Sequence, residues 1–204
     1  MWLFVVVTVV LGYLLGNLNG AVLVSRSLHD DVREHGSGNA GLTNFIRNYG
    51  TGRAISVIAI DGIKTVAACL LGGLLLSRFH MFSEGLAIGG TAVMLGHAYP
   101  VVLGFRGGKS ILSGLFVAIV IDWRIALLIL AVFAIVYGLT RYVSLGSVLA
   151  AVTFSIGFAV FHHDRLVVML CGIFMGLFAV FTHRENIVRL IRKQERKTDL
   201  FSKK

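Results

Sequence analysis

Seven helix-length apolar runs, joined by short polar loops, restrict what this chain can become. They cover 2–25, 54–76, 85–103, 111–121, 125–140, 143–161 and 166–182 of 204 residues. None shows the short alternating pattern of an outer-membrane strand, so each reads as helix. Hydrophobic residues make up 56% of the chain and charged residues 14%. A soluble domain is about 45–50% apolar and about 25% charged. A core this small cannot hide the excess, because a small domain leaves much of its surface in water. A soluble enzyme and a disordered chain are both excluded. What is left is an all-α integral membrane protein.

The number of spans turns on 111–140, interrupted only by Asp122-Trp123-Arg124. A single helix of that length would run about 45 Å, well beyond a ~30 Å hydrocarbon core. Basic residues decide between one helix and two. With two helices, Arg26, Arg33, Arg47, Arg53, Arg106, Lys109, Arg141 and eight basic residues from Arg184 to Lys204 fall on one side. Arg78, Arg124 and Arg165 fall on the other, and Lys64 lies within a span. A single helix would erase that asymmetry. The reading is therefore seven transmembrane helices, N-terminus outside and C-terminus cytoplasmic.

The first run has no basic residue ahead of it and reads as a retained helix rather than a signal peptide. The fourth and fifth spans are short, so 104–112 is expected to enter the membrane profile, shielded by protein. Residues 1–183 form one membrane domain with cytoplasmic loops. The basic tail 184–204 is expected to start as a surface helix and end frayed. The net charge of +9 fits the positive-inside rule and anionic lipid or substrate rather than nucleic acid. Cys69 and Cys171 lie in apolar runs and read as buried small hydrophobes, not a disulfide.

The unusual polar sequence all lies on the side assigned to the cytoplasm. Gly36-Ser37-Gly38-Asn39-Ala40-Gly41-Leu42-Thr43-Asn44, with Arg47 beyond, combines glycines that let backbone amides approach an anion with neutral donors. A helix starting near Thr43 would aim its positive end at this turn and set Arg47 on the face of Asn44. The bland alternative is a tight turn with a capping hydroxyl. The second loop carries Gly96-His97 and Pro100, then Phe105-Arg106-Gly107-Gly108-Lys109-Ser110. It resembles the end of a phosphate loop, but Leu103 stands where the first glycine is needed, so a nucleotidase reading is poor. Lys109 reads as functional, Arg106 as a snorkelling surface charge.

Two further clusters are Arg141-Tyr142-Val143-Ser144-Leu145-Gly146-Ser147 and His183-Arg184-Glu185-Asn186, with Arg189 on the face of Asn186. A capping role for Ser144 or Ser147 is the strong alternative there. Asp61 and Lys64, three apart in the second span, read as a pair that neutralises itself. His162-His163-Asp164 has too few companions for a metal site. Besides Asp30, Asp31 and Glu34 ahead of the first loop, Glu185 reads as the only carboxylate near a polar motif on the cytoplasmic side. No carboxylate pair, acidic cluster or His-Glu-x-x-His motif is present, and no metal or other cofactor is expected. The residues describe a cytoplasmic site for one or more phosphates at the lipid interface, with apolar helices beside it for an acyl chain.

These motifs, in this order, resemble the bacterial acyl-phosphate:glycerol-3-phosphate acyltransferase family (the PlsY type) along nearly the whole chain. The resemblance rests on Gly36 to Asn39 with Thr43, Asn44 and Arg47, on Gly96-His97 with Pro100, on Phe105 through Lys109, on Ser144 to Ser147, and on His183 with Asn186-Ile187. The chain departs from the family pattern at Gly16-Asn17-Leu18-Asn19-Gly20, at Leu42, at Arg106 and at Ser110 to Gly114. The resemblance implies a multi-pass bacterial inner-membrane enzyme. It moves a fatty acyl group from acyl phosphate to the 1-hydroxyl of glycerol 3-phosphate, giving lysophosphatidic acid for phospholipid synthesis.

On that reading Arg47 and Lys109 hold phosphate charge, with Ser37 and the Gly107-Gly108 amides adding hydrogen bonds. Ser144 and His183 orient glycerol phosphate, and Asn186 donates to the oxyanion. Ser37, Arg47, Lys109, His183 and Asn186 are the expected catalytic set. Gly36, Gly38, Asn39, Thr43, Asn44, His97, Gly107, Gly108 and Ser144 are the expected phosphate-binding set. His97, His183 or a substrate phosphate could act as base; the phosphate is preferred because the motifs pair no histidine with a carboxylate. The rival readings are an organic-phosphate transporter, whose site belongs at mid-membrane, and a divergent paralogue with altered or lost activity.

Overall fold

A computed structural model describes residues 1–198. Among them the structure is wholly helical: ten α-helices and two 3-10 turns, with no strand. The first apolar run is not one helix. It splits into α1 (Trp2–Gly16) and α2 (Gly20–Ser27). Two asparagines compete with the helix backbone there. The Asn17 side-chain amide donates to the Tyr13 carbonyl at 2.6 Å, and Asn19 caps α2 by accepting from the Val22 amide at 3.0 Å. The Lys64 ammonium takes up the carbonyls at the break, those of Gly16 at 3.3 Å and Leu18 at 2.6 Å.

After the 3-10 turn Val32–Glu34 comes α3 (Leu42–Tyr49), followed directly by the long α4 (Thr51–Ser77) and then α5 (Phe82–Ala98). Gly50 adopts φ +82° between α3 and α4, a value that favours glycine. Helices α1, α4 and α5 pack closely through small residues, as helices in lipid do. A Cβ on Gly12 would lie 2.8 Å from the Ala92 Cβ. The second 3-10 turn, Val101–Leu103, leads to α6 (Ile111–Ile121) and α7 (Trp123–Thr140). The break between them falls at Asp122, as the sequence predicts. The Asp122 carboxylate caps α7 by accepting from the Arg124 amide at 3.0 Å and pairs with its guanidinium at 2.6 Å. The described part closes with α8 (Val143–Phe161), α9 (Leu166–Thr182) and α10 (Arg184–Ile191), the last bent 55° from α9.

By length and hydropathy, five helical stretches among the described residues can cross a bilayer, or six if α9 and α10 are taken together. Helix α6 has 11 residues and is too short to cross alone. Large apolar side chains such as Leu3, Ile63, Leu74 and Leu139 are exposed on the helix flanks, a surface that suits lipid rather than water. Two buried clusters hold the bundle. One joins α4 to α9 around Met94, Val117, Ile125, Phe158 and Met175. The other seats the loop before α3 against α2 and α4 through Val22, Val32, Ala40, Phe45 and Val57.

Candidate active site at one end of the bundle

The first glycine loop is tied by a single side chain. The Asn44 amide nitrogen donates to the carbonyls of Val32, His35 and Asn39, each at 3.0 Å, and its oxygen accepts from the Ser37 amide at 3.1 Å. Asn44 therefore shapes the loop, its amide nitrogen engaged within the protein. Gly36 and Gly38 turn at φ +62° and +71°, and the Gly38 amide closes on the His35 carbonyl at 3.0 Å. Asp31, pulled down to about 2 chiefly by the Arg33 guanidinium, holds that arginine, which also donates to the Leu103 carbonyl at 3.2 Å. The two glycine loops are thus joined. Asn39 adds a long contact to the Gly107 carbonyl at 3.5 Å, and Ala40 N–H one at 3.4 Å.

The second loop folds back on the end of α5. Gly107 N–H donates to the Ala98 carbonyl at 3.2 Å and Gly108 N–H to the His97 carbonyl at 3.0 Å. These amides, expected to donate to phosphate, are engaged within the protein. Their role is close approach: a Cβ on Gly107 would come within 2.6 Å of the Pro100 ring. That turn delivers Lys109, whose carbonyl accepts from Thr182 Oγ1 at 3.1 Å. The Lys109 ammonium meets Asn186 Oδ1. Burial, with Arg189 nearby, lowers the Lys109 pKa to about 8.

The remaining groups come from the far end of the chain. Ser144 lies in the first turn of α8 but makes no cap, so the bland reading of it fails; its buried hydroxyl forms no hydrogen bond among the described residues. His183 sits at the α9–α10 bend with its pKa lowered to about 4, chiefly by burial. Its Nδ1 lies 2.7 Å from the Ala179 carbonyl. A neutral ring in that position donates from Nδ1 and presents Nε2 as an acceptor. Asn186 Nδ2 donates to Glu195 Oε1 at 2.7 Å, and Arg189 Nε donates to Glu195 Oε2 at 2.7 Å. Burial pushes the Glu195 pKa up, but Arg189 and Asn186 more than offset this and the net shift is downward. Arg47, on α3, meets Thr198 Oγ1 through Nε at 2.9 Å and also through Nη2. Burial lowers the Arg47 pKa, with Glu195 opposing.

All these elements border one cavity of about 530 Å³. Its polar end carries Gly36, Ser37, Asn39, Thr43, Asn44, Arg47, Lys109, Ser144, His183 and Asn186. Its apolar end runs between α6, α7 and α8 along Ile111, Leu115, Ile129, Phe133 and Ala150. A smaller apolar space of about 30 Å³ shares Ile111, Leu115, Ile129 and Ala150 with it. Gly38, Gly107 and Gly108 are not in the cavity wall. His97 reaches the wall, but its Nδ1 is 2.8 Å from the Lys64 ammonium. Lys64 in turn pairs with Asp61 at 2.7 Å. The expected Asp61–Lys64 pair is present, enlarged by a histidine.

Arg189, Glu195, Arg196 and Ser147 also line the cavity. Glu195 corrects the reading that Glu185 was the only later carboxylate near a polar motif. It lies in a run of basic residues that resembles a surface tail. The signal for Arg189 was its place three residues after Asn186 on one helix face. The segment 194–198 lies against the site instead of fraying, and the expectation for 199–204 falls outside the described residues. Of the departures after Lys109, Ser110, Ile111 and Leu112 line the cavity, and Ser110 Oγ donates to the Met94 carbonyl at 2.7 Å.

A cationic, donor-rich pocket that opens into apolar space between membrane-type helices defines a membrane protein built to handle an amphiphilic anion. The comparisons make this specific. The sequence model of the family described as glycerol-3-phosphate acyltransferase matches residues 6–193. A relative of that name from Thermoanaerobacter sp. (strain X514) is 38% identical over 196 residues, covering 96% of each chain. One from Shouchella clausii is 37% identical over 198 residues, covering 94% of this chain and 95% of that one. Among solved structures, the glycerol 3-phosphate form of PlsY (YgiH), an integral membrane glycerol 3-phosphate acyltransferase, superposes with a TM-score of 0.86 at 31% identity. That match covers 97% of this chain and 99% of the other. The lysophosphatidic acid form of PlsY matches with a TM-score of 0.83 at 30% identity, covering 96% of each. The chain belongs to the glycerol-3-phosphate acyltransferase family and is a multi-pass integral membrane acyltransferase.

Proposed function

We propose that this enzyme takes its acyl group from acyl phosphate and delivers it to the 1-hydroxyl of glycerol 3-phosphate in the bacterial inner membrane. The observation that carries the reading is the meeting of Ser37, Arg47, Lys109, Ser144, His183 and Asn186 around one cavity with an apolar extension. The cationic end suits the phosphates of both reactants, and the space beside Ile129 and Phe133 suits the acyl chain. The membrane arrangement is seven spans, N-terminus outside and C-terminus cytoplasmic. The fourth, α6, is about 16 Å long, and the turn before it enters the membrane profile from the cytoplasmic side, shielded by protein. The positive-inside charge distribution supports that orientation and puts the pocket on the cytoplasmic side. Residues 1–183 form the membrane domain, and 184–198 complete the pocket from the tail.

The chemistry needs alignment more than activation, because phosphate is a good leaving group. Arg47 and Lys109 hold phosphate charge, while the α3 N-terminus with Ser37 and Thr43 adds donors. The hydroxyl oxygen attacks the acyl carbon, the bond from that carbon to the phosphate oxygen breaks, and the hydroxyl proton passes to phosphate. Asn186 has a second amide hydrogen besides the one given to Glu195, and it is the donor for the oxyanion. His97 is a poor base: an Nδ1 facing an ammonium accepts from it, which puts the ring proton on Nε2. His183 presents an accepting Nε2 and orients the attacking hydroxyl, with substrate phosphate as the final proton acceptor.

Purified protein in detergent, given labelled glycerol 3-phosphate with either acyl phosphate or acyl-CoA, tests the donor. Lysophosphatidic acid should form with acyl phosphate alone, weighed by mass spectrometry. Formation only with acyl-CoA would overturn the assignment. Uptake of an organic phosphate into vesicles without any transfer would overturn the enzymatic reading altogether.

A further inference from the structure

We propose that Thr198 is a positioning residue for Arg47, carried to the site by a strap formed by residues 195–198. The strap is anchored at both ends. At one end the Glu195 carboxylate is gripped by Asn186 and Arg189 of α10, each at 2.7 Å. At the other end the Thr198 backbone is fixed to the α7–α8 corner. Its N–H donates to the Arg141 carbonyl at 3.1 Å, and its carbonyl accepts from the Tyr137 hydroxyl at 3.0 Å. Between these anchors Arg47 Nη2 also reaches the Arg196 carbonyl at 3.4 Å.

The consequence falls on the Thr198 side chain, which is buried. Its Oγ1 accepts from both Nε and Nη2 of Arg47. Two donors of a planar group on one oxygen fix which edge of the guanidinium faces Thr198, and so which edge is left for a ligand. That matters because arginine recognises phosphate as a rigid fork, and a misplaced fork loses its geometric advantage. Arg47 stands in the last turn of α3, a helix of eight residues capped by Gly50. The strap adds a restraint from a point 151 residues further along the chain. Thr198 does not line the cavity. It acts on substrate only through Arg47.

This inference rests on the reading of Arg47 as a phosphate ligand, and the test separates the two. Initial rates of the full-length enzyme are measured against each phosphorylated substrate for the wild type, T198A, T198S, R47A and the T198A/R47A double variant. T198A should raise KM for one phosphorylated substrate about tenfold, the scale of a lost hydrogen bond to a charged group, with kcat changed less than about twofold. T198S should restore the wild-type value. On the R47A background T198A should add nothing. If T198A matches the wild type while R47A is impaired, the positioning role fails and the phosphate-ligand reading stands. If R47A itself leaves KM and kcat unchanged, the reading of Arg47 fails and this inference with it. An effect of T198A that persists in full on R47A also overturns it. Thermal unfolding in detergent accompanies each variant. Should T198A be unstable, Y137F replaces it: loosening one anchor should shift the same KM in the same direction by a smaller factor, and no shift overturns the proposal.

Discussion

Two clusters in this protein contain a lysine, a histidine and a carboxylate, and they behave in opposite ways. In the first, Lys64 is sealed between helices: it faces Asp61 at 2.7 Å, His97 at 2.8 Å, and the carbonyls freed where α1 and α2 part. Asp61 also accepts from the Gly20 amide at 3.1 Å. Every hydrogen of that ammonium has a partner inside the protein, and the group works as a rivet. In the second, Lys109 meets Asn186 at the wall of a 530 Å³ cavity, among Arg189, Arg47, His183 and Glu195. Here the cations Arg47, Lys109, Arg189 and Arg196 outnumber the carboxylates on the wall, Glu195 and Asp61, so attraction for a further anion is left over. Composition does not distinguish these clusters. The balance of charge and the adjoining space do.

The comparison can be broken by exchanging what each cluster loses. Lys109→Ala should lower kcat/KM about 10²–10³-fold, the scale of removing one fixed charge-stabilising donor, with little change in thermal stability. Radiolabelled acyl transfer and detergent melting read the two sides. Asp61→Ala should do the reverse. It leaves Lys64 buried without its counter-ion, a change that costs about 3–5 kcal/mol. It should appear as a lowered melting midpoint, partly recovered in an Asp61→Ala/Lys64→Met double variant.

The pH profile sharpens the contrast further. With the Lys109 pKa lowered to about 8, the charged form prevails below that value and is lost above it. The rate should hold through neutral pH and fall above pH 8, by about tenfold per unit once well past it. Lys109→Arg keeps its charge throughout, so that alkaline limb should vanish even if the overall rate is lower. The smallest effect is expected at Arg106, exposed in the same loop. Arg106→Ala should stay within about twofold of the wild type in rate and within about 0.5 kcal/mol in stability. A large loss would mean that the loop's charge acts at a distance rather than through Lys109.

The long helices were legible because each follows an apolar run, and the break at Asp122 because its capping is local. The site was partly legible. Ser37, Arg47, Lys109, His183 and Asn186 stand out as polar residues in conspicuous loops. Three other residues share one difficulty. Asn44, Gly107 and Gly108 carry donors in a phosphate-like sequence, but whether a donor is available depends on what lies across from it. Here that is a carbonyl of the same loop or of α5. Glu195 and Thr198 were hidden because a basic tail looks the same whether it runs along a surface or folds back over a pocket.

Hydropathy and charge, which act residue by residue on transfer between water and lipid, were enough to establish from the sequence a helical membrane protein with its polar motifs on one side. Bringing Arg47, Lys109, Asn186 and Thr198 together is another matter. They are separated by as many as 151 residues and meet only when helices pack and turns close. Which donors face a ligand and which face each other was decided by that packing, because a hydrogen bond requires two partners at contact distance and a sequence names only one of them.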